Sequence, residues 1–223
     1  MSKMTSLLRV RVASLAALSV LASVALSSVA LSSVAFVSAG WAQQPPPVRI
    51  RGTIEVVDGP VLTIKTREGD DVKVRMTDNV AVFGVATTPL SEIKEGSYIG
   101  VSGMPLPDGT QKALAVHIFP ENQRGAAEGF RPWDLKPNST MTNATVAETV
   151  KGVDGQNILL KYKDGEKKIV VPPGTPVVTF VAGDKSEVKA GSNIIIFGAV
   201  KKDDGMLEAN RINVGRDGIT PPM

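Results

Sequence analysis

The sequence predicts an all-β protein made of two tandem, small antiparallel β-barrels of the OB-like kind, which follow an N-terminal signal segment. Three observations lead to this fold class: short runs that alternate apolar and polar residues, Asp-Gly pairs between the runs, and an internal sequence repeat. Alternation with a period of two is typical of half-buried strands, and Asp-Gly pairs favour tight hairpin turns. Many short strands in a module of about 70 residues favour a closed barrel, because closure leaves no unpaired edge.

The first 42 residues predict an export signal. Three basic residues precede a stretch without charge that follows Arg11, ends before Arg49 and is rich in Ala, Val, Leu and Ser. A basic flank, an apolar run and small residues are typical of a signal peptide. We expect cleavage after Ala42, with cleavage after Ala39 as the alternative. An uncleaved anchor is the other interpretation, since the run is long enough to span a bilayer. Either way we expect a periplasmic or otherwise exported protein, which meets the membrane only through this segment and only if the segment is not cleaved.

The rest of the chain contains two copies of one module. Residues 57–69 read VDGPVLTIKTREG and residues 153–165 read VDGQNILLKYKDG, while SEIKEGSYIGVSG at 91–103 aligns with SEVKAGSNIIIFG at 186–198. Two matches in the same order and nearly the same register indicate an internal duplication. The expected division is a Pro-rich spacer at 43–48, a first barrel at 49–118, a linker at 119–143, a second barrel at 144–214 and a tail at 215–223.

The alternation places the strands within each module. One face of the early strands should hold Leu62, Ile64, Val72, Val74 and Met76, and in the second copy Ile158, Leu160, Ile169 and Val171. Further strands are expected at 80–83, 98–102 and 112–118, with counterparts near Val177, Ile194 and Leu207. The turns should form at Asp58-Gly59, Asp108-Gly109, Asp154-Gly155, Asp164-Gly165 and Asp204-Gly205, with positive φ at both residues. Residues 91–96, SEIKEG, predict one helical turn that is capped by Ser91 and stopped by Gly96.

Composition and charge exclude several classes of protein. The chain has 25 Lys and Arg against 22 Asp and Glu, and the three basic residues ahead of the apolar run account for the whole excess. A nucleic-acid-binding protein would need a basic excess on one face, which this neutral body lacks. The absence of Cys excludes disulfides, thiol catalysis and Cys-based metal sites. A single apolar segment also excludes a multi-span permease.

No residue pattern points to catalysis or to a metal. The only histidine, His117, alternates with Val116 and Ile118, so we expect an ordinary surface residue. Glu92 and Glu187 recur in both modules, but they fit as first-turn acids favoured by the helix dipole. The acidic pairs lack the spacing that wraps a calcium ion, and no nucleophile motif is present. We therefore expect a protein that is not an enzyme and that has no cofactor and no metal site.

The linker holds the candidate binding residues. Residues 119–143 have no counterpart in either module and no strand periodicity, and they contain Phe130, Arg131 and Trp133. A long connection without secondary structure is unusual in a compact protein, so it is packed over the barrels, functional or disordered. One interpretation is that Trp133 fills the groove between the barrels and fixes their relative orientation. The other is that Phe130, Arg131 and Trp133, which are residue types that anchor interfaces, bind a partner protein.

The module resembles a known family. Its VDG turn, its L-T-I-K strand and its SEIKEG-type turn before a strand that ends in Gly resemble the DUF5666 family of bacterial exported β-barrel domains. The stretches WDLKPNSTMTNATVAETV and KYKDGEKKIVVPP are similar to a group of alphaproteobacterial proteins described as metal ABC transporter permeases. This resemblance covers nearly the whole mature chain and implies a barrel fold and an envelope setting. It implies no catalytic residues, and the single apolar segment leaves at most an accessory role at a transporter.

The expected function is that of an exported, non-enzymatic adaptor or accessory protein of the bacterial envelope, which contacts another envelope protein. The alternative is a small-ligand or metal-ion binding module that is associated with a transporter. A hydrolase with paired carboxylates is a third hypothesis, and it requires two acids together in a cleft.

Overall fold

The computed structural model describes residues 46–152 and 155–223, which form an all-β protein, as the sequence predicts. The strands are β1 (Val48–Asp58), β2 (Val61–Thr66), β3 (Asp71–Thr87), β4 (Tyr98–Pro105), β5 (Gln111–Ile118), β6 (Gly129–Pro132), β7 (Thr140–Gly152), β8 (Gly155–Tyr162), β9 (Gly165–Val171), β10 (Val177–Ala182), β11 (Asn193–Lys201) and β12 (Leu207–Gly215). Three 3₁₀ helices lie at Leu90–Glu92, Glu121–Gln123 and Lys185–Glu187. No helix in the described ranges is long and apolar enough to cross a bilayer. The predicted signal segment at 1–42 and the turn residue Asp154 lie outside the described residues.

Two rings of five strands make up the body of the protein. In the first barrel the strands pair in the order β1, β2, β3, β12 and β11, and β11 pairs back to β1. In the second barrel the order is β7, β8, β9, β5 and β4, and β4 pairs back to β7. Each ring contains one parallel pair, β3 with β12 and β9 with β5, and its other neighbours are antiparallel. Closure in both rings removes the exposed edges that an open sheet would leave.

Each barrel is built from both sequence repeats. The first barrel takes β1–β3 from the first repeat and β11–β12 from the second, while the second barrel takes β7–β9 from the second repeat and β4–β5 from the first. The predicted division into one barrel at 49–118 and another at 144–214 is therefore wrong. The physical reason is that alternation determines only which side chains face a core. Because two copies of a module offer equivalent strand edges, alternation does not determine which copy of a strand pairs with which neighbour. The 17-residue strand β3 carries the chain across to the second barrel, where β4 and β5 then join.

The two barrels meet where β3 and β10 pair antiparallel. Val85 lies opposite Phe180 in this pair, and the two residues occupy equivalent positions in the aligned repeats. A pseudo-two-fold axis therefore passes through this point. β10 also pairs in parallel with β5, so β5 is covered on the side that faces the other barrel.

The apolar alternation produces two barrel cores and a third cluster between the barrels. The predicted core residues Leu62, Ile64 and Val74 are fully buried in the first barrel, and Ile158, Leu160, Ile169 and Val171 are buried in the second. Burying an Ile or Leu side chain stabilises the fold by about 1.5–3 kcal/mol relative to leaving it exposed. The third cluster contains Val85, Val178, Phe180, Ile195 and Met223, with Phe119, Phe197 and Ile219 packed against it.

The predicted turns that lie within the described residues form where the sequence places them, but two of them form by different chemistry. Gly59 and Gly109 have φ of 55° and 84°, whereas the Asp before each of them does not have positive φ. The carboxylate of Asp108 instead accepts a hydrogen bond from the backbone N–H of Thr110, at 2.9 Å. Ser91 does not cap the turn before β4, because it lies inside the 3₁₀ helix, which begins after Pro89 and has no side-chain cap.

The linker is not structureless. It contains the 3₁₀ helix Glu121–Gln123 and strand β6, and β7 already begins at Thr140. β6 pairs antiparallel with β7, with Phe130 opposite Thr142 and Arg131 opposite Met141. The expected lack of strands at 119–143 is therefore wrong, because a four-residue strand is too short to show a period in the sequence.

Candidate functional site

A cleft of about 320 Å³ lies between the barrels beside the pseudo-two-fold axis. This volume is at the lower end of the range for small-molecule sites, which is roughly 300–1,000 Å³. The lining residues come from both barrels and from the linker: Arg49, His117, Phe119, Gln123, Ala126, Ala127, Arg131, Trp133, Met141, Asn143, Phe180, Phe197 and Arg211. No carboxylate is among these residues, so the lining is apolar and positively charged.

Aromatic rings form one wall of the cleft. The ring of Phe180 lies 6.2 Å from that of Phe119 and 6.3 Å from that of Phe197, measured between centroids. The imidazole of His117 packs edge-on against Phe119, with centroids 4.1 Å apart. These separations are close to or within the range in which edge-to-face and tilted aromatic pairs attract each other.

His117 is buried, so the prediction of a surface histidine is wrong. Only 4% of its surface is exposed, because Phe119 and Phe180 cover the side of β5 that the sequence pattern leaves to solvent. The backbone of Gly100 lies directly opposite on β4 and leaves room for the imidazole. Burial, and to a smaller extent the charges of Arg211 and Arg131, lowers the pKa of His117 to about 3. The imidazole is therefore neutral at physiological pH.

Two guanidinium groups in the cleft have no carboxylate partner within the described residues. Arg211 stacks over Phe83, with its Cζ 4.1 Å from the ring centroid, and its Nε donates to Asn213 Oδ1 at 3.1 Å. Arg131 donates through Nη1 to the carbonyl oxygen of Ala127 at 2.8 Å. Burial lowers the pKa of both groups, but arginine stays protonated in proteins. Two positive charges therefore face the cleft uncompensated.

The third guanidinium of the lining, that of Arg49, is paired with a carboxylate at the rim. Asp134 bridges Arg49 at 2.6 Å and Arg51 at 2.7 Å, and Arg49 lies over the ring of Trp133, with its Cζ 3.9 Å from the centroid. Burial opposes the ionisation of Asp134, but the hydrogen bonds and charges of Arg51 and Arg49 outweigh it and lower its pKa to about 2. This contact ties the linker to β1 of the first barrel, while β6 ties it to the second.

Buried polar atoms without hydrogen-bond partners concentrate in this cleft. The described residues contain five such side-chain atoms, and four of them line the cleft: Arg49 Nε, His117 Nδ1, Trp133 Nε1 and Asn143 Oδ1. Each unsatisfied buried group costs about 1–3 kcal/mol. A fold seldom leaves several such groups in one place unless something else satisfies them. A second concavity, of about 340 Å³ on the second barrel, contains none of the five.

The predicted binding residues separate onto two sides of the linker. Arg131 and Trp133 line the cleft, whereas Phe130 points the other way and is 40% exposed, with Lys167 Nζ 4.4 Å from its ring centroid. The loop that carries Trp133 is closed by Ser139, whose Oγ donates to the Trp133 carbonyl oxygen at 3.0 Å. The binding of a partner protein by these residues stays a prediction.

Sequence reasoning missed most of the cleft, although the repeats carry a signal for it. The aligned copies differ where the cleft forms: Ser102 of the first repeat aligns with Phe197 of the second. Gly100 pairs with His117 in one hairpin, and the equivalent pair in the other hairpin is Ile195 with Asn213. In the first hairpin the small residue Gly100 thus lies opposite the large His117, whereas in the second the large Ile195 lies opposite the smaller Asn213. Two of the differing positions, His117 and Phe197, line the cleft.

No group of three His, Asp or Glu side chains in residues 46–152 and 155–223 is arranged to hold a metal ion. Comparisons of the chain with protein-family models, with curated proteins and with solved structures found no match. The resemblance to the DUF5666 family therefore stays a prediction.

Proposed function

We propose that this chain is a non-enzymatic binding module that holds a small anionic molecule in the cleft between its barrels. The observation that carries the proposal is the coincidence, in one cleft, of four unpartnered buried polar atoms and two guanidinium groups without a carboxylate. An isolated charge is costly to bury, and a bound anion would supply the missing counter-charge and accept hydrogen bonds from the donors Arg49 Nε and Trp133 Nε1.

Binding accounts for the lining better than catalysis does. A general base works best when its pKa lies near the operating pH, and the pKa of His117 is about 3. The cleft lining offers no carboxylate and no Ser or Cys as a nucleophile. The remaining groups can orient and hold a ligand, which is the role proposed here.

The cellular setting is also a proposal. The leader sequence supports export to the periplasm, and the resemblance stated above supports an accessory role at an envelope transporter. In that role the module would bind its anion outside the inner membrane and present it to a transporter. The metal-ion form of this role has less support, since the cleft lining is cationic and lacks carboxylates.

Thermal denaturation with a panel of small anions tests the binding proposal. A ligand at about 100 times its Kd stabilises a protein by about 2.7 kcal/mol, which corresponds to a rise in Tm of about 5–10 °C for a chain of this size. We expect at least one carboxylate, phosphate or sulfonate compound to produce such a rise. The double variant Arg131→Gln/Arg211→Gln should lose the rise. The matched control Arg75→Gln should keep it, because Arg75 lies outside the cleft and pairs with Asp204.

Either of two results would contradict the proposal. One is that no small anion raises the Tm of the wild-type protein. The other is that the double variant responds as strongly as the wild type. Native mass spectrometry of the protein purified from a periplasmic extract complements the panel, because a ligand bound in the cell should appear as an added mass in the wild type and be missing from the double variant.

A second candidate function is the adaptor role, and the exposure of Phe130 favours it. Among the described strands β6 pairs only with β7, so its other edge is open beside the exposed ring of Phe130. We propose that a partner protein would contact this edge. In-cell crosslinking should retrieve a partner with the wild type that is lost with Phe130→Ala and kept with the cleft variant Arg211→Gln. Retrieval that is equal for all three would contradict the adaptor role.

A further inference from the structure

Resting on the proposed function, we infer that the ligand is a small aromatic carboxylate, with its ring against the aromatic wall and its carboxylate at Arg131 and Arg211. The cleft combines a wall of aromatic rings with two guanidinium groups that lack a carboxylate partner, and a small aromatic carboxylate complements both features in one compact molecule. The volume of about 320 Å³ limits the ligand to roughly one or two rings.

Of the four unpartnered atoms, two require a hydrogen-bond acceptor on the ligand, whereas Asn143 Oδ1 requires a donor. Arg49 Nε and Trp133 Nε1 can only donate a hydrogen bond, and both are buried without a partner in the described residues. An ionised carboxylate only accepts hydrogen bonds and has two oxygens to share among such donors. A neutral alcohol or amide would satisfy fewer of these donors and would leave the guanidinium charges uncompensated.

The guanidinium group of Arg211 is oriented for this contact. Its flat faces are occupied, since Cζ lies 4.1 Å from the centroid of Phe83 and 5.3 Å from that of Phe180. Its Nε and Nη2 donate to Asn213 and Gln123, at 3.1 and 3.4 Å, and this leaves Nη1 without a partner within the described residues. A planar fork held in this way matches the geometry of a carboxylate better than a flexible ammonium would.

The aromatic wall explains why the ligand carries a ring. Phe119, Phe180 and Phe197 line one side of the cleft as a row of rings, the first pair tilted and the second perpendicular, and the neutral imidazole of His117 extends this row. A further ring that lies against this row would add contacts of the same kind, which an aliphatic ring of equal size cannot make.

Within the part of the chain that the structure describes, the site occurs once. Phe180, Phe197 and Arg211 align with Val85, Ser102 and Ala115 in the other repeat, so the pseudo-two-fold axis does not generate a second cationic, aromatic cleft. We therefore expect one ligand per chain.

Isothermal titration calorimetry with three probes tests this inference. Benzoate has the ring and the charge, cyclohexanecarboxylate has the charge without the flat ring, and benzyl alcohol has the ring without the charge. We expect benzoate to bind one molecule per chain, at least tenfold more tightly than either of the other two probes. Arg211→Gln should weaken benzoate binding at least tenfold, Arg131→Gln should also weaken it, and Arg75→Gln should leave it unchanged.

A second readout reports on the cleft directly. In the variant Trp41→Phe, Trp133 is the only tryptophan of the chain. Its indole N–H then gives a single resonance in a ¹⁵N–¹H spectrum, and benzoate should shift this resonance with the same Kd as in calorimetry. The spectrum also shows whether each arginine variant is folded.

The outcomes separate the inference from the proposed function. If cyclohexanecarboxylate binds as tightly as benzoate and depends on Arg211, the aromatic class is wrong and the anion-binding function stands. If no carboxylate binds but another anion raises the Tm through Arg131 and Arg211, the carboxylate assignment is wrong. If benzoate binds equally to Arg211→Gln and to Arg75→Gln, or does not shift the Trp133 resonance, the placement in the cleft is wrong.

Discussion

Because the imidazole of His117 packs directly against the backbone of Gly100, we expect Gly100→Ala to destabilise the protein. A methyl group added at Gly100 would lie 2.7 Å from both His117 Nδ1 and Asn143 Oδ1 and would overlap the imidazole Cε1. Real Cβ atoms do not approach heavy atoms this closely, so the imidazole has to leave its place between Phe119 and Phe180. Such overpacking costs about 1–3 kcal/mol. For a chain of this size, the loss corresponds to a fall in Tm of about 2–12 °C.

The matched control is Gly198→Ala, which lies in the equivalent region of the second repeat. A methyl group at Gly198 meets nothing closer than 3.8 Å, and φ at this residue is not positive. We expect Gly198→Ala to be neutral or to stabilise the protein by up to about 1 kcal/mol, because alanine restricts the unfolded chain more than glycine does.

A double-mutant cycle identifies the imidazole as the cause. In the second repeat the equivalent hairpin pairs Ile195 with Asn213, so the double variant Gly100→Ala/His117→Asn moves the first repeat towards that arrangement. Chemical denaturation of the four proteins should give a coupling energy of about 1–3 kcal/mol, with Gly100→Ala costing much less when His117 is absent. The reasoning is refuted if Gly100→Ala is as stable as Gly198→Ala, or if it costs as much in the His117→Asn background as in the wild type.

Three further predictions concern stability. The unfolded chain binds a proton at His117 near pH 6.5, whereas the folded chain binds it only near pH 3. The stability of the wild type relative to His117→Asn should therefore fall by about 1.4 kcal/mol for each pH unit from pH 6 to pH 4. A difference in urea denaturation that does not depend on pH would contradict this prediction. Asp134→Asn should lower the free energy of unfolding by only about 1 kcal/mol, because the carboxylate is 47% exposed. The variant should nevertheless release the loop of Trp133, and tryptophan emission should then shift to longer wavelength in the Trp41→Phe background. Met223→Ala should cost about 2–5 kcal/mol in urea denaturation, because this side chain is fully buried between the barrels; a cost below 1 kcal/mol would contradict its place in that cluster.

Within the two repeats, the sequence pattern was sufficient to place strands and to identify core residues of the barrels, although it missed β6 in the linker. Leu62, Ile64, Ile158 and Leu160 are buried as the alternation predicts, because a strand with one covered face forces this pattern wherever the strand pairs. The pattern does not determine which copy of a strand completes which barrel. If β11 and β12 exchange places with β4 and β5, the same side chains of every strand still face a barrel core. The alternation in the sequence is therefore the same with and without the exchange.

The same limitation explains why the cleft was missed. His117 lies on the face of β5 that alternation assigns to solvent, and that face becomes an interior only because the second half of β3 and β10 bring the two barrels together. Arg211 and Phe197 likewise lie on the outer faces of barrel strands, and no pattern in the sequence marks them as site residues. Of the residues that line the cleft, only Arg131 and Trp133 were predicted to bind a partner, because they stand in a segment outside the repeats.

Duplication and strand exchange together explain how a simple barrel module acquires the cleft that is proposed here to bind a ligand. A single five-stranded barrel of this size is filled by its own side chains and has no internal cavity for a ligand. Because each chain segment crosses from one barrel to the other, the outer faces of two barrels are held against each other at a fixed junction. The two copies are then free to diverge at that junction: one supplies His117 over Gly100, and the other supplies Phe180, Phe197 and Arg211. The cleft is therefore a property of the pair of repeats, and substitutions in either copy should change ligand binding without changing the core of either barrel.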